Sequence, residues 1–223
     1  LGYANSKIDN QVIKSIKNSN MSTLNSVYEI YLAEKLIEIH DWADMARFAR
    51  TGGEANSIAI RLARAFSKKD NIAVCGYHGW HDWYLSSNLT NKKNLETHLL
   101  PNLDIQGVPK KLKGTVYPFK YNDFNYLKRI IREKNIGIIK MEVVRNIMPK
   151  NNFLKKVREI ATKNNIVLIF DECTTGFRGT YGGLHKIFGV NPDLAIFGKA
   201  IGNGYAINAI IGKKEIMKMA NKT

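Results

Sequence analysis

The chain has 223 residues, 44% of them apolar and 24% charged. That balance excludes a disordered chain, a collagen and a coiled coil, and it allows one sizeable core. Two cysteines, Cys75 and Cys173, exclude a disulfide framework and a Cys-rich zinc module, and no apolar run reaches membrane-spanning length. The net charge is +15, but 25 of the 34 basic residues are Lys and they lie along the whole chain. This reads as solvated surface rather than an arginine-rich face for nucleic acid.

Residues 7–18 and 26–40 carry apolar side chains at helical spacing and read as two amphipathic helices. Residues 47–50 lead into Thr51-Gly52-Gly53. The stretch 54–66 then places Ala55, Ala59, Leu62 and Phe66 on one face of a helix starting just after two glycines. Residues 71–77 form a short apolar strand, and 86–114 read as a polar, lysine-rich irregular excursion. A strand at 115–119 precedes a helix over 123–134, N-capped by Asp123 or Asn122. A strand at 136–144, a helix at 152–164 and a strand at 166–170 follow, the last running into Asp171-Glu172. Strands at 193–197 and 206–211 and a helix from Lys213 complete the chain. From residue 54 onward strand and helix alternate, which predicts an α/β fold with a mostly parallel sheet covered by helices. Ligands bind such sheets at the carboxyl ends of the strands. Tyr77, Glu142, Asp171 and Lys199 all fall at or just past predicted strand ends.

Each position has a functional reading beside a plain one. Gly52 and Gly53 at a helix entry make a phosphate cradle or an ordinary helix start; the stretch lacks the grammar of a P-loop or a dinucleotide fingerprint. Asp171, at the end of an apolar strand, needs a partner. A protonated ring nitrogen would serve; so would an N-cap role or a salt bridge to Arg178. Lys199, surrounded by Gly198, Ala200, Gly202 and Gly204, is a partly buried lysine able to form a Schiff base, or a loop lysine. The run from Tyr77 to Trp83 offers a stacking platform, or a metal site from His78, His81 and Asp82 that lacks a well-spaced third ligand. No metal site is assigned.

Four segments, FARTGGEANSIAIRLARA, YHGWHDW, LIFDECTTGFR and DLAIFGKAIGNGYAINAIIG, resemble in order and spacing the class III pyridoxal-phosphate-dependent aminotransferases of fold type I. The similarity runs over nearly the whole chain and is closest to the glutamate-1-semialdehyde 2,1-aminomutase-like branch. The resemblance implies the fold type I large domain, with a seven-stranded-type sheet, and pyridoxal 5'-phosphate as cofactor. It implies a transaminase or 2,1-aminomutase-like transfer of an amino group through an aldimine on Lys199, whose freed amine then shuttles a proton. Asp171 would pair with the protonated ring nitrogen, keeping the ring an electron sink. Tyr77 would stack on one ring face and Cys173 on the other, where the family has Val or Ile. Gly52 and Gly53 would give backbone N–H groups to the phosphate with the Thr51 hydroxyl nearby, and Glu142 and Asn146 would line the ring edge.

The chain departs from the family pattern in two motifs. Thr-Gly-Gly stands where Ser-Gly-Thr or Ser-Gly-Ser is usual, which removes one hydroxyl donor to the phosphate, at a cost of about 1 kcal/mol. The acidic motif reads Met-Glu-Val-Val-Arg-Asn instead of Glu-Pro with a spaced Asn. It resembles aminomutase-like transaminases associated with surface-polysaccharide genes. The expected organisation is an N-terminal helical part (1–50) leading into a cofactor-binding large domain (51–223), with the C-terminal small domain absent and the chain a fragment lacking both termini. The resemblance implies a small-molecule amino donor and acceptor, a homodimer for the full-length protein, a cytoplasmic location, and neither nucleic acid nor membrane as partner. The alternatives are a truncated cofactor-binding core without turnover, and an aminotransferase acting on a sugar or polysaccharide precursor.

Overall fold

The structure, a computed structural model, describes residues 2–18, 26–98 and 103–222. Two helices come first, α1 (Ser6–Asn18) and α2 (Val27–Ile39), where the apolar spacing places them. Helix α1 buries none of its side chains and α2 buries only Leu36. Their apolar stripes stay largely uncovered, with Ile13, Ile16, Val27, Tyr28, Ile30 and Tyr31 exposed.

The next element is one the sequence reading misses. Met45–Ala49 is strand β1, not a mere lead-in. Apolar residues at 45, 46, 48 and 49 do not alternate, so this edge strand carries no period-2 signal. Helix α3 (Gly52–Ser67) begins at the first glycine, two residues earlier than expected. Thr51 caps it: its Oγ1 accepts from the Glu54 amide at 3.1 Å, and Glu54 Oε2 accepts from the Thr51 amide at 2.9 Å, a capping box. Ala55, Ala59 and Leu62 are buried as expected. Phe66 is 40% exposed, because Ile60 and Ala63 complete the buried stripe in its place.

Strand β2 (Ile72–Cys75) and the single turn α4 (Asp82–Leu85) follow. The segment after α4 is less of a surface excursion than its polarity suggests. It folds into short 3-10 turns at Ser86–Leu89, Glu96–His98 and Lys110–Leu112, and it buries Ser86, Ser87, Asn88, Leu95, His98 and Val108. Local bonds satisfy several of these polar groups: Ser86 Oγ donates to the Trp83 carbonyl, and Asn88 Oδ1 accepts from the Leu95 amide. Residues 99–102 of this segment lie outside the described residues.

The remaining elements fall within a few residues of their predicted positions. They are β3 (Val116–Pro118), α5 (Phe124–Glu133), β4 (Ile138–Glu142), α6 (Phe153–Lys163), β5 (Val167–Glu172), β6 (Leu194–Phe197), β7 (Asn208–Gly212) and α7 (Lys214–Met217). Asp123 caps α5, accepting from the Tyr126 amide.

The strands form one sheet in the order β1-β7-β6-β5-β4-β2-β3. The run from β6 to β3 is parallel, while β7 is antiparallel to both β6 and β1. The expected α/β class with a mostly parallel seven-stranded sheet is therefore the observed one. Strands β2, β4, β5, β6 and β7 are buried along their length, so they read as continuous apolar runs. Alternate residues face opposite layers. Val74, Ile138, Ile169, Ile196 and Ile210 pack with Ala55, Ala59 and Ala63 of α3 and with Ile216 of α7. Ala73, Ile139, Met141, Leu168 and Phe170 pack with Leu127 of α5 and Leu154 and Val157 of α6. Leu36 of α2 covers Ala195, Phe197, Ala209 and Ile211 at the far end of that second layer.

Candidate active site

The carboxyl ends of the parallel strands and the start of α3 meet along one rim. Glu142 and Asp171 are register partners at the ends of β4 and β5. The Tyr77 amide, just past β2, donates to Glu142 Oε2 at 3.0 Å. Cys173 Sγ lies 3.8 Å from Asn208 Oδ1 at the start of β7. A methyl group placed on Gly52 would sit 3.7 Å from both of these atoms, so the N-terminus of α3 closes the rim beside them.

Asp171 is buried. Neither plain alternative describes it, since it is not an N-cap and does not pair with Arg178. Its Oδ2 binds His78 Nδ1 at 2.9 Å and lies 3.8 Å from Lys140 Nζ, and its Oδ1 accepts from the Cys173 amide at 3.1 Å. Burial alone pushes the carboxyl pKa up. The Lys140 ammonium and the His78 bond outweigh it and hold Asp171 well below the usual carboxylate range. Burial pushes His78 down to about 4 against the pull of Asp171. His78 is thus neutral near pH 7, with its proton on Nδ1 and donated to the carboxylate. This commits Nδ1 of His78 to Asp171, and among the described residues no group of three His, Cys, Asp or Glu side chains is placed to hold a metal ion.

Lys199 begins a short 3-10 turn directly after Gly198. Of its two readings, the loop lysine describes its burial, for it is exposed at the rim. Its Nζ donates to Thr174 Oγ1 at 3.2 Å. Its backbone is left-handed, with φ 46°, a conformation that costs a lysine about 1–3 kcal/mol and that the surroundings must impose. A surface hollow beside it is lined by Arg178, Asn203 and Tyr205.

At the start of α3, Glu54 takes up the amides of Arg50 and Thr51. Gly52 and Gly53 are the first two helical residues, whose N–H groups have no intrahelical acceptor. Thr51 Oγ1 accepts from Glu54, which leaves its own proton free to donate. The missing side chain at Gly53 has a structural counterpart. A methyl group there would fall 2.3 Å from His81 Cε1 and 2.5 Å from its Nδ1. The His81 ring occupies the room that a threonine or serine would need.

Tyr77 is half-buried, edge-on to Tyr84, with the Arg145 guanidinium 5.8 Å from its ring centre. Glu142 accepts from the Tyr77 amide and, with both oxygens at 3.1 Å, from Arg145. Burial raises its pKa, and those two partners oppose the rise. Together with Gly76, His98, Tyr121 and Asn146, this pair lines a cavity of about 430 Å³. Asn146 itself is exposed. Cys173 is buried, and burial raises its thiol pKa further above the usual range, next to Asp171; this thiol is a packing surface, not a nucleophile.

Tyr77, Glu142, Asp171, Cys173 and Lys199 lie at or just past the ends of β2, β4, β5 and β6, and Thr51, Gly52 and Gly53 lie at the start of α3. Sequence reasoning missed the groups that support them. Thr174, adjacent to Cys173, could have been found by its hydroxyl and its place in the motif. His78 was noted only as a metal ligand. Lys140 and Asn208 give no local signal, since their roles arise from pairing across strands.

The donor set suits a ligand with three different ends. The free amides at a helix N-terminus take an anion, an ionised buried carboxylate takes a protonated ring nitrogen, and a lysine amine takes a carbonyl. The sequence pattern of the class-III aminotransferases matches residues 1–223, and the chain belongs to that family.

Its relatives refine the picture. It is 40% identical to 3-aminobutyryl-CoA aminotransferase of Cloacimonas acidaminovorans, over 98% of this chain and 51% of that protein. It is 39% identical to glutamate-1-semialdehyde 2,1-aminomutase of Methanobrevibacter smithii, over 98% of this chain and 52% of that protein. Among solved structures, an omega-transaminase from Sphaerobacter thermophilus superposes with a TM-score of 0.83 at 30% identity, over 97% of this chain and 51% of that one. The chain thus spans about half the length of these relatives. Among the described residues no helix is long and apolar enough to cross a membrane.

Proposed function

We propose that this chain carries the cofactor-binding part of a pyridoxal-phosphate-dependent enzyme that transfers an amino group, either between two small molecules or within one. One observation carries the reading. A lysine amine held at Thr174, a buried ionised aspartate and the free amides of α3 meet on a single rim. When bound, pyridoxal phosphate supplies an aldehyde that condenses with amines and a ring that withdraws electrons from the carbon bearing the transferred amine.

The chain's own residues do the rest. Lys199 would offer Nζ to the aldehyde and would move a proton at that atom. Thr174 Oγ1 holds Nζ in place between these tasks. Asp171 keeps the ring nitrogen protonated, and His78 holds the Asp171 carboxylate from behind. Gly52 and Gly53 bind the phosphate through their amides, with the Thr51 hydroxyl as a further donor. Tyr77 and Cys173 would cover the two ring faces, and Glu142 would line the ring edge.

Residues 51–223 are the cofactor-binding unit in this reading, with 1–50 leading into it. The substrates are a small-molecule amino donor and acceptor, which the names of the relatives support. The full-length protein is a homodimer, a reading supported by the uncovered apolar face of α2 at Val27, Tyr28, Ile30 and Tyr31. A cytoplasmic location is supported by two free, buried thiols.

The test is optical. Purified chain titrated with pyridoxal phosphate is expected to develop a visible absorbance band that Lys199→Ala abolishes. A wild-type chain without the band, or a band that survives Lys199→Ala, overturns the reading.

A further inference from the structure

Lys140 has no part in the chemistry described so far, and its position is costly. It interrupts the apolar run of β4, is 0% exposed, and by strand alternation shares a face with Ile138, Val74 and Ile169. Its Nζ has no hydrogen-bond partner among the described residues. The nearest anion is Asp171, with Oδ2 at 3.8 Å. An ammonium in such surroundings persists only against a counter-charge. The other titratable groups around the pair are Glu142 further along β4, Cys173 after β5 and the neutral His78. Burial lowers the Lys140 pKa and the carboxylate 3.8 Å away opposes the fall, so Asp171 has a counter-charge on the neighbouring strand. A second cation, a protonated ring nitrogen, would share the same carboxylate.

We infer that Lys140 is a positioning residue that competes with the cofactor's ring nitrogen for the single negative charge of Asp171, so that this chain holds that nitrogen's proton more weakly than Asp171 alone would. The inference rests on the cofactor reading above. Its consequence is a site whose ring is a milder electron sink and whose grip on the cofactor depends little on the ring nitrogen.

The experiment compares two probes: pyridoxal phosphate, and its 1-deaza analogue with a CH in place of the ring nitrogen. Dissociation constants are measured by absorbance or fluorescence titration on the unaltered chain and on Lys140→Met and Lys140→Gln. The unaltered chain is expected to bind the two probes within about threefold of each other. Either substitution is expected to tighten pyridoxal phosphate about tenfold and to leave the analogue within about twofold.

A parallel change for both probes shows a merely structural lysine and overturns the inference, as does no change for either. If neither variant gives a cooperative melt, the unaltered chain decides alone: a preference of tenfold or more for pyridoxal phosphate overturns the inference. Binding of neither probe to the unaltered chain sinks the cofactor reading itself, and the inference with it. Binding with no Lys140 effect sinks only the inference.

Discussion

Asp171 and Glu172 are adjacent on β5, both buried, and each is bonded to a histidine Nδ1, at 2.9 Å and 2.7 Å. They point to opposite faces of the sheet and differ in how completely they are satisfied. Glu172 accepts four hydrogen bonds: from Thr175 Oγ1, the amides of Leu184 and His185, and the His185 ring. The His185 ring in turn accepts from Trp42 and stacks on His40. Asp171 accepts two among the described residues. A carboxylate offers about four acceptor sites, so Glu172 is saturated and Asp171 is half open. Glu172 clamps the loop after β5 to the α2–β1 connection, and Asp171 keeps room for a donor that the chain does not supply. The comparison separates structure from function more sharply than burial or charge does.

The largest effect should come from the saturated side. Glu172→Ala strands a buried histidine, two amides and a hydroxyl and should cost about 4 kcal/mol, read by chemical denaturation. A loss under about 1 kcal/mol would break the contrast.

Acid should strike both sides in the same window. Burial holds His78, on the Asp171 side, and His40, on the Glu172 side, at about 4 in the folded chain. Their unfolded value is near 6.5. A depressed folded pKa gives stability that is complete above about 6.5 and is lost as pH falls toward 4. The expected loss is roughly 3 kcal/mol for each histidine across that interval. His78→Gln and His40→Gln should each flatten part of the profile; an unchanged profile in both would show that the rings are not buried neutral.

Asp171→Asn should separate binding from stability. Cofactor affinity is expected to fall only about threefold, because Lys140 already shares the carboxylate, while the denaturation midpoint drops far less than in Glu172→Ala. The reverse pattern would make Asp171 the second clamp. Thr51→Ala, which removes the α3 cap, is the smallest case at about 1 kcal/mol of stability, with Thr51→Ser restoring it.

Much of this could be read before folding. The apolar runs of β4, β5 and β6 are continuous because both of their faces are covered, and the motifs at their ends named the rim residues. The unreadable parts have physical reasons. Strand β1 lacks alternation because it is an edge strand of intermediate burial. The buried polar side chains of the 86–114 segment look exposed in sequence because their partners are backbone groups brought close only by the turns. The exposure of Lys199 is set by the 3-10 turn it begins, which small neighbours permit but do not by themselves specify. Lys140 reads as one more surface lysine until strand register places it beside Asp171.

The antiparallel course of β7 has a further consequence. In a wholly parallel sheet, the chain leaving β6 would have to cross to the opposite edge before re-entering. Here β6 departs from the rim and β7 starts at it, so the loop carrying Lys199 is anchored at both ends within the same few ångströms, with Gly198 packed against the Asn208 side chain. A loop of about ten residues closed in this way has little chain entropy left to lose. The Lys199 amine is thus supported like the middle of a short bridge rather than the tip of a free arm.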